Sequence, residues 1–199
     1  SDMYIIDGDG KQVADSITKV RRHHVFRSGR DLAEGLLTHN FVTGCTMLVQ
    51  SDAAKRAIPF CPYMVHDHYI ALCCAAEGMV YSSPEKTICY RIHGGNQTGI
   101  MSGVRDKESY LNVRISAVEE KLRWLEKYFP YHADLSASIQ RHLRWAQARE
   151  NNWKQKGHMS ELWQMRDCGW QVTAYEILAA RLPEKLFMRT INLARRNLM

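Results

Sequence analysis

The chain has 199 residues, 45% of them apolar and 10% aromatic, which is enough to build one substantial core or two small ones and excludes a disordered chain. No window approaches the roughly 18 to 20 consecutive apolar residues that a bilayer span needs, and the opening SDMYIIDGDG lacks a basic stretch followed by an apolar one, so neither an integral membrane protein nor a secretory precursor is expected. The net charge of +6 arises wholly in the second half: residues 1 to 104 hold 10 Lys+Arg against 10 Asp+Glu, residues 105 to 199 hold 17 against 11. A basic half suits nucleic acid, an anionic membrane surface or a phosphorylated substrate, and charge alone does not choose among them.

The elements, in chain order, begin with MYIID (3 to 7), a short apolar strand, followed by the turn GDGK. Residues 11 to 30 show no period and read as a loop or a short irregular helix. DLAEGLLT (31 to 38) opens a helix, with Asp31 as N-cap and Glu34 at the capping-box position. NFVTGCTMLVQ (40 to 50), rich in β-branched residues, predicts a buried strand; Ser51 then caps a short helix that Pro59 ends. Asp67 precedes the apolar helix YIALCCAAEG, with Gly78 as its C-cap. MVYSS (79 to 83) and KTICYRIH (86 to 93) read as strands, and GGNQTG (94 to 99) as a flexible loop.

From about residue 105 the period becomes 3.6, with Leu111, Ile115, Val118, Leu122 and Leu125 on one helical face. Further helices are expected near 133 to 155, 159 to 181 and 183 to 199. The division is therefore an α/β part over residues 1 to 104 and a helical region over 105 to 199, without internal repeats. The six cysteines include an adjacent pair and sit mostly in apolar runs, where a thiol behaves as a small hydrophobe; they read as reduced, which points to the cytoplasm.

Four groups of residues carry candidate chemistry. The Asp-Gly-Asp of IIDGDGK has the residue types of a divalent-cation site, but a turn demands the same types with no ligand, and it is read as a turn. Cys61, His66, His68, Cys73 and Cys74 have the types of a zinc site, yet no CxxC spacing occurs and His66 and His68 point about 200° apart on a helix, so zinc is not expected. Asp67, between two histidines in MVHDHYIAL, is placed either to cap its helix or to act as a general base towards a hydroxyl group. Arg91 and His93, two apart on a strand, face one side ahead of a Gly-rich loop containing Asn96; they suit either phosphate and metal contacts or a satisfied edge-strand pair.

NFVTGCTMLV followed by HDHYIALCCAAEGMVYSSPEKTICYRIHGGNQTG resembles the second half of the catalytic domain of bacterial family 2 glycosyltransferases, most of all its rhamnosyltransferase-like members. In those enzymes an N-x-x-T-G strand leads to a helix opened by an aspartate and then to a YR-x-H-x-x-N-x-x-G segment. The likeness covers roughly residues 1 to 104. It implies the C-terminal half of a GT-A fold, followed here by a helical appendage, a nucleotide-diphosphate sugar donor and inverting transfer to a hydroxyl of a saccharide or lipid-linked acceptor in surface polysaccharide synthesis. By the same resemblance Asp67 is the catalytic base. Arg91 and His93 face the donor diphosphate, with His93 a third ligand for Mg²⁺ or Mn²⁺. Asn96 and Gly99 belong to a loop closing over the donor, and Thr43 and Gly44 to the pocket wall. The family's nucleotide-binding half, which holds most of the metal site, is expected to precede residue 1, making this chain a C-terminal fragment, inactive by itself.

The final stretch LPEKLFMRTINLARRNLM places Lys185, Arg189 and Arg196 on one helical face with Leu186 and Leu193 elsewhere around it. Such a helix either lies on an anionic leaflet, at about 1 kcal/mol per basic residue near the surface, or packs as an ordinary surface helix. Peripheral attachment to the inner membrane is the expectation tied to a lipid-linked acceptor. RHLRWAQARENNWKQK mixes bases with tryptophan, but Trp145 and Trp153 are spaced to be buried together, and nucleic acid is not an expected partner. The competing expectation for the whole chain is a non-catalytic helical interaction module with a basic face for a membrane surface or a partner.

Overall fold

A computed structural model describes residues 1–21, 24–93 and 101–197. It divides into two compact units, Ser1–Ile100 together with Arg195–Met199, and Met101–Ala194.

The first unit is built on a three-stranded sheet of order β2-β1-β3. β1 (Asp2–Ile6) runs antiparallel to β2 (Gln12–Ala14) and parallel to β3 (Lys86–Arg91), with Tyr4 opposite Cys89 and Ile6 opposite Arg91. The Asp-Gly-Asp stretch makes the hairpin turn between β1 and β2. Asp7 Oδ1 accepts the backbone N–H groups of Asp9 at 3.0 Å and Lys11 at 2.9 Å, and Gly10 takes φ of +88°, which favours glycine. Behind the sheet Met3, Ile5 and Ile17 are buried, Ile17 opening helix α1 (Ile17–Val20). Buried Asp2 joins strand to helix, its Oδ1 accepting from the N–H of Met3 at 2.8 Å and of Ile17 at 3.3 Å. Burial alone raises the pKa of this carboxyl, but these hydrogen bonds and one from Ser16 outweigh it and hold the group below its ordinary value.

Helices α2 (Ala33–Leu36), α3 (Ser51–Arg56) and α4 (His66–Glu77) complete the unit. α4 is buried almost all round, through His68, Tyr69, Ile70, Ala71, Leu72, Cys73 and Ala75, as its continuous apolar sequence requires. His68 spends its Nε2–H on the Leu36 carbonyl at 2.6 Å, satisfying an open acceptor at the end of α2. Burial pushes the Cys73 thiol up to about 12, so it is inert packing.

Several expectations are corrected. NFVTGCTMLVQ forms no strand; it is an open segment with one 3₁₀ turn, Gly44–Thr46, and Leu48 is 99% exposed. MVYSS contributes only a bridge between Val80 and Gly29. The β-branched residues of both segments favour extended backbone, but extended backbone becomes a strand only where a neighbour supplies its hydrogen bonds. The unperiodic 11 to 30 holds the short strand β2. Asp31 does not cap α2, whose N-cap is Leu32, and Ser51 lies inside α3, whose N-cap is Gln50.

The second unit is helical: α5 (Lys107–Tyr110) runs through a π-helical turn (Leu111–Ser116) into α6 (Ala117–Tyr128), then α7 (His132–Trp153), α8 (Met159–Gln164), α9 (Trp170–Ala179) and α10 (Glu184–Asn197), the last counted in this unit as far as Ala194. Of the expected face, Ile115, Leu122 and Leu125 are fully buried while Leu111 and Val118 are half-buried; Leu111 and Ile115 lie in the π-helical turn, which departs from the expected 3.6-residue period, and Ile139 of α7 is also fully buried. The stretch 159 to 181, expected as one helix, is broken at Gly169, where any side chain would meet the indole of Trp145 at 3.1 Å. Tyr110 stacks on Trp153 with centroids 4.7 Å apart, and Phe187 closes on both edge-on. α10 buries Phe187 and Ile191 and leaves Lys185, Leu186, Arg189 and Leu193 exposed.

At the centre of this unit lies a network that the sequence reading missed. Glu176, wholly buried on α9, receives Arg149 of α7 in a two-pronged ion pair, Nε to Oε2 at 2.8 Å and Nη2 to Oε1 at 2.7 Å. Tyr110 Oη donates to Glu176 Oε1 at 2.9 Å, Arg149 Nη2 also donates to the Arg114 carbonyl at 2.9 Å, and the guanidinium lies over the Trp145 ring. Burial works against the charge on Arg149, but Glu176 outweighs it and keeps the group cationic.

Candidate functional site

The first turn of α4 positions Asp67. Val65 is extended and forms the N-cap, so Asp67 falls one residue inside the helix rather than at its cap. A carboxylate there still faces the positive end of the helix dipole, a stabilisation of about 0.3 to 1 kcal/mol. Its oxygens reach beyond the helix: Oδ2 accepts the Gly44 N–H at 2.9 Å, and Oδ1 accepts Asn40 Nδ2 at 3.3 Å and the N–H of His68 at 2.6 Å. Three of the roughly four acceptor positions of a carboxylate are thereby used. Asp67 thus locks the segment from Asn40 to Gly44 onto α4.

The segment is pre-shaped for this. Asn40 Oδ1 accepts the Val42 N–H at 2.9 Å, a local turn, and the Thr43 carbonyl accepts from both the N–H and the hydroxyl of Thr46 at 3.0 Å. Gly44 is favoured by close approach rather than by its dihedrals: a Cβ added there meets His66 Nε2 at 3.2 Å and Asp67 Cβ at 3.3 Å, so these side chains would have to give by a few tenths of an ångström. Gly44→Ala is therefore expected to push the loop off the first turn of α4 and break the Gly44–Asp67 hydrogen bond. The expected cost is about 1 to 3 kcal/mol, combining overpacking with a lost charge-assisted bond, read as a fall in the denaturation midpoint. An unchanged midpoint would mean that the segment is not held by this contact.

Thr43 lines a cavity of about 980 Å³ in the first unit, together with Phe26, Phe41, Met47, Val80 and Tyr81; Asp67 is not among its walls. Arg91 and His93 stand at the other candidate place, the carboxyl ends of the parallel strands β1 and β3, an edge where ligands of α/β sheets commonly bind. Arg91 Nη1 donates to the carbonyls of Asp7 at 2.9 Å and Gly8 at 2.7 Å, so this guanidinium secures the hairpin turn. His93 is exposed, two residues past the end of β3. Asn96 and Gly99 lie outside the described residues.

The structure therefore gathers Asn40, Gly44, His66 and Asp67, with Thr43 beside them, and anchors Arg91 separately on the turn. Asn40 was legible only as the first letter of the N-x-x-T-G pattern; its role as a donor to Asp67 depends on a contact 27 residues away in sequence. Among the described residues no group of three or more His, Cys, Asp or Glu side chains converges as a metal site would require, which applies to His93 and to the Cys61–Cys74 group alike. The cysteines are all free, Cys45 and Cys89 exposed. Among the described residues no helix is long and apolar enough to cross a membrane. Comparison of the chain with protein-family models, with curated proteins and with solved structures returns no match.

Proposed function

We propose that this chain is the C-terminal part of an inverting family 2 glycosyltransferase, acting at the cytoplasmic face of a membrane on a saccharide or lipid-linked acceptor. The observation that carries the reading is the setting of Asp67: a carboxylate at a helix N-terminus, clamped by Gly44 and Asn40, both from the N-x-x-T-G segment that the family pattern pairs with it. In the reaction the acceptor oxygen bonds to the anomeric carbon of the donor sugar as the nucleotide diphosphate departs with the bonding pair. Asp67 takes the acceptor's hydroxyl proton, and the configuration at the carbon inverts. What Asp67 supplies is a fixed acceptor for that proton. Among the described residues no three or more His, Cys, Asp or Glu side chains converge, so a Mg²⁺ or Mn²⁺ would be held mainly by residues outside them, with His93 the candidate ligand from this chain.

Arg91 is assigned to the donor diphosphate from the end of β3. The carbonyls of Asp7 and Gly8 hold its guanidinium at the sheet edge, which fixes a cation there before any ligand arrives. The exposed Lys185 and Arg189 of α10 supply positive charge of the kind an anionic leaflet attracts.

The test is a calorimetric titration of this chain, with Mn²⁺ present, against UDP-, GDP- and dTDP-sugars. One donor is expected to bind weakly, through its diphosphate end alone because the nucleotide-binding half is expected elsewhere, and Arg91→Ala is expected to weaken it about tenfold or more, the worth of one charge-assisted hydrogen bond. Binding by none of the donors would overturn the assignment of a donor site to this chain. Unchanged affinity in Arg91→Ala would leave Arg91 with the turn alone.

A further inference from the structure

α9 buries two polar residues beside its apolar core contacts and leaves large apolar ones bare. On its core side Thr173 and Glu176 are completely buried, while on its outer side Trp170 is 64% and Leu178 69% exposed. Trp170, Ala174 and Leu178 recur every four residues and therefore share one face. That face runs into α8, where Met159, Ser160 and Trp163, with Ala174, Ile177 and Leu178, line a shallow groove of about 480 Å³. The core beneath, Trp145, Ala148, Leu162 and Cys168, closes without Trp163, Trp170 or Leu178. Folding of the unit does not account for two half-bare indoles and a leucine on one surface.

We propose that this face is where two copies of the chain associate, about a two-fold axis passing close to Ala174. Three features point to a second copy. First, the outer stripe from Trp170 to Leu178 bears no charge, because the one ionisable carboxylate of α9, Glu176, is turned inward to Arg149; two identical stripes meet without apposing like charges. Second, Ala174 lies midway between Trp170 and Leu178. An antiparallel crossing at this small residue brings two helices close and sets Trp170 of one copy against Leu178 of the other, as a self-complementary two-fold contact requires. Third, the surroundings carry both signs, Glu161 and Asp167 beside Arg141 and Arg166, with Arg141 3.2 Å from Asp167 and Arg166 over the Trp163 ring. A rotated copy can match such a mixed rim. A uniformly anionic lipid surface finds no net attraction at this rim, where Arg141 and Arg166 are offset by Asp167 and Glu161.

Sedimentation velocity of the full chain from low to high micromolar concentration is expected to show a monomer–dimer equilibrium. Leu178→Glu is expected to raise the dissociation constant at least tenfold with an unchanged unfolding midpoint at dilutions where both proteins are monomeric, since the side chain it replaces faces solvent in the monomer. Trp170→Glu, at the other end of the stripe, serves as the second variant. Ala174→Cys, in a background where the exposed Cys45 and Cys89 are serine, is expected to form a disulfide with its own copy under mild oxidation. A monomer at every concentration, or a dimer indifferent to both glutamate variants, overturns the proposal. So does a chain that stays monomeric but pellets with phosphatidylglycerol vesicles in a manner abolished by Leu178→Glu.

Discussion

Glu176→Ala is expected to destabilise the helical unit by about 3 to 5 kcal/mol, because it leaves the buried guanidinium of Arg149 without its counter-charge. For a unit of this size that corresponds to a fall in melting temperature of roughly 12 °C or more. The readout is built into the chain: its five tryptophans, Trp124, Trp145, Trp153, Trp163 and Trp170, all lie in the second unit, so their fluorescence follows that unit and not the sheet. Two controls separate charge burial from simple loss of contacts. Replacing both partners with apolar residues of similar size, Arg149→Met with Glu176→Leu, is expected to recover most of the loss, since no unpaired charge then remains inside. Arg123→Ala, which removes the exposed arginine of an i, i+4 helix pair with the half-buried Glu119, is expected to cost no more than about 0.5 kcal/mol. If Glu176→Ala costs no more than that surface change, water reaches the pair and the network does not hold α7 to α9.

The contrast between the two units also explains what was readable in the sequence. The helical unit declared itself through local periodicity: Leu122 and Leu125 are buried on α6 as a 3.6-residue repeat requires, Ile115 is buried from the π-helical turn that the repeat did not foresee, and Trp145 and Trp153 are both buried. Its central ion pair did not, because Glu176 in AYEIL and Arg149 in QAREN look like ordinary surface charges and their meeting depends on how α7 crosses α9. In the first unit β1, the Asp-Gly-Asp turn, α4 with its Gly78 terminus and β3 followed from local signals. NFVTGCTMLVQ did not become a strand. Its composition states a preference for extended backbone, and a strand needs in addition a partner for its hydrogen bonds, which local composition cannot supply. The same limit applies at the candidate site. Asp67 stood out because an acid opened an apolar helix, whereas the clamp that fixes it comes from Asn40 and Gly44, visible only once α4 and the preceding loop are brought together.

Asp67→Asn is expected to lower turnover by about 10² to 10⁴-fold, the usual worth of a positioned general base, while leaving the affinity for the sugar donor unchanged. On the reading proposed above, the test uses the donor identified by titration and follows release of its nucleotide. The structure also gives this variant a cost in stability, and the two effects must be distinguished. As a carboxylate Asp67 accepts from Gly44 through one oxygen and from Asn40 and His68 through the other. Asparagine offers one oxygen and turns an amide N–H₂ towards donors on the other side, so at least one of these bonds is lost, about 1 to 2 kcal/mol. Asn40→Ala makes the comparison possible. It removes one strut of the clamp and keeps the carboxylate, so it is expected to lower stability by about 1 kcal/mol and turnover less than tenfold. If the two variants lose turnover in proportion to their loss of stability, Asp67 is an anchor for the loop and the proton goes elsewhere. If Asp67→Asn loses orders of magnitude more activity than Asn40→Ala at similar stability, the carboxylate itself takes the proton, and its position inside the first turn of α4 is what aims it.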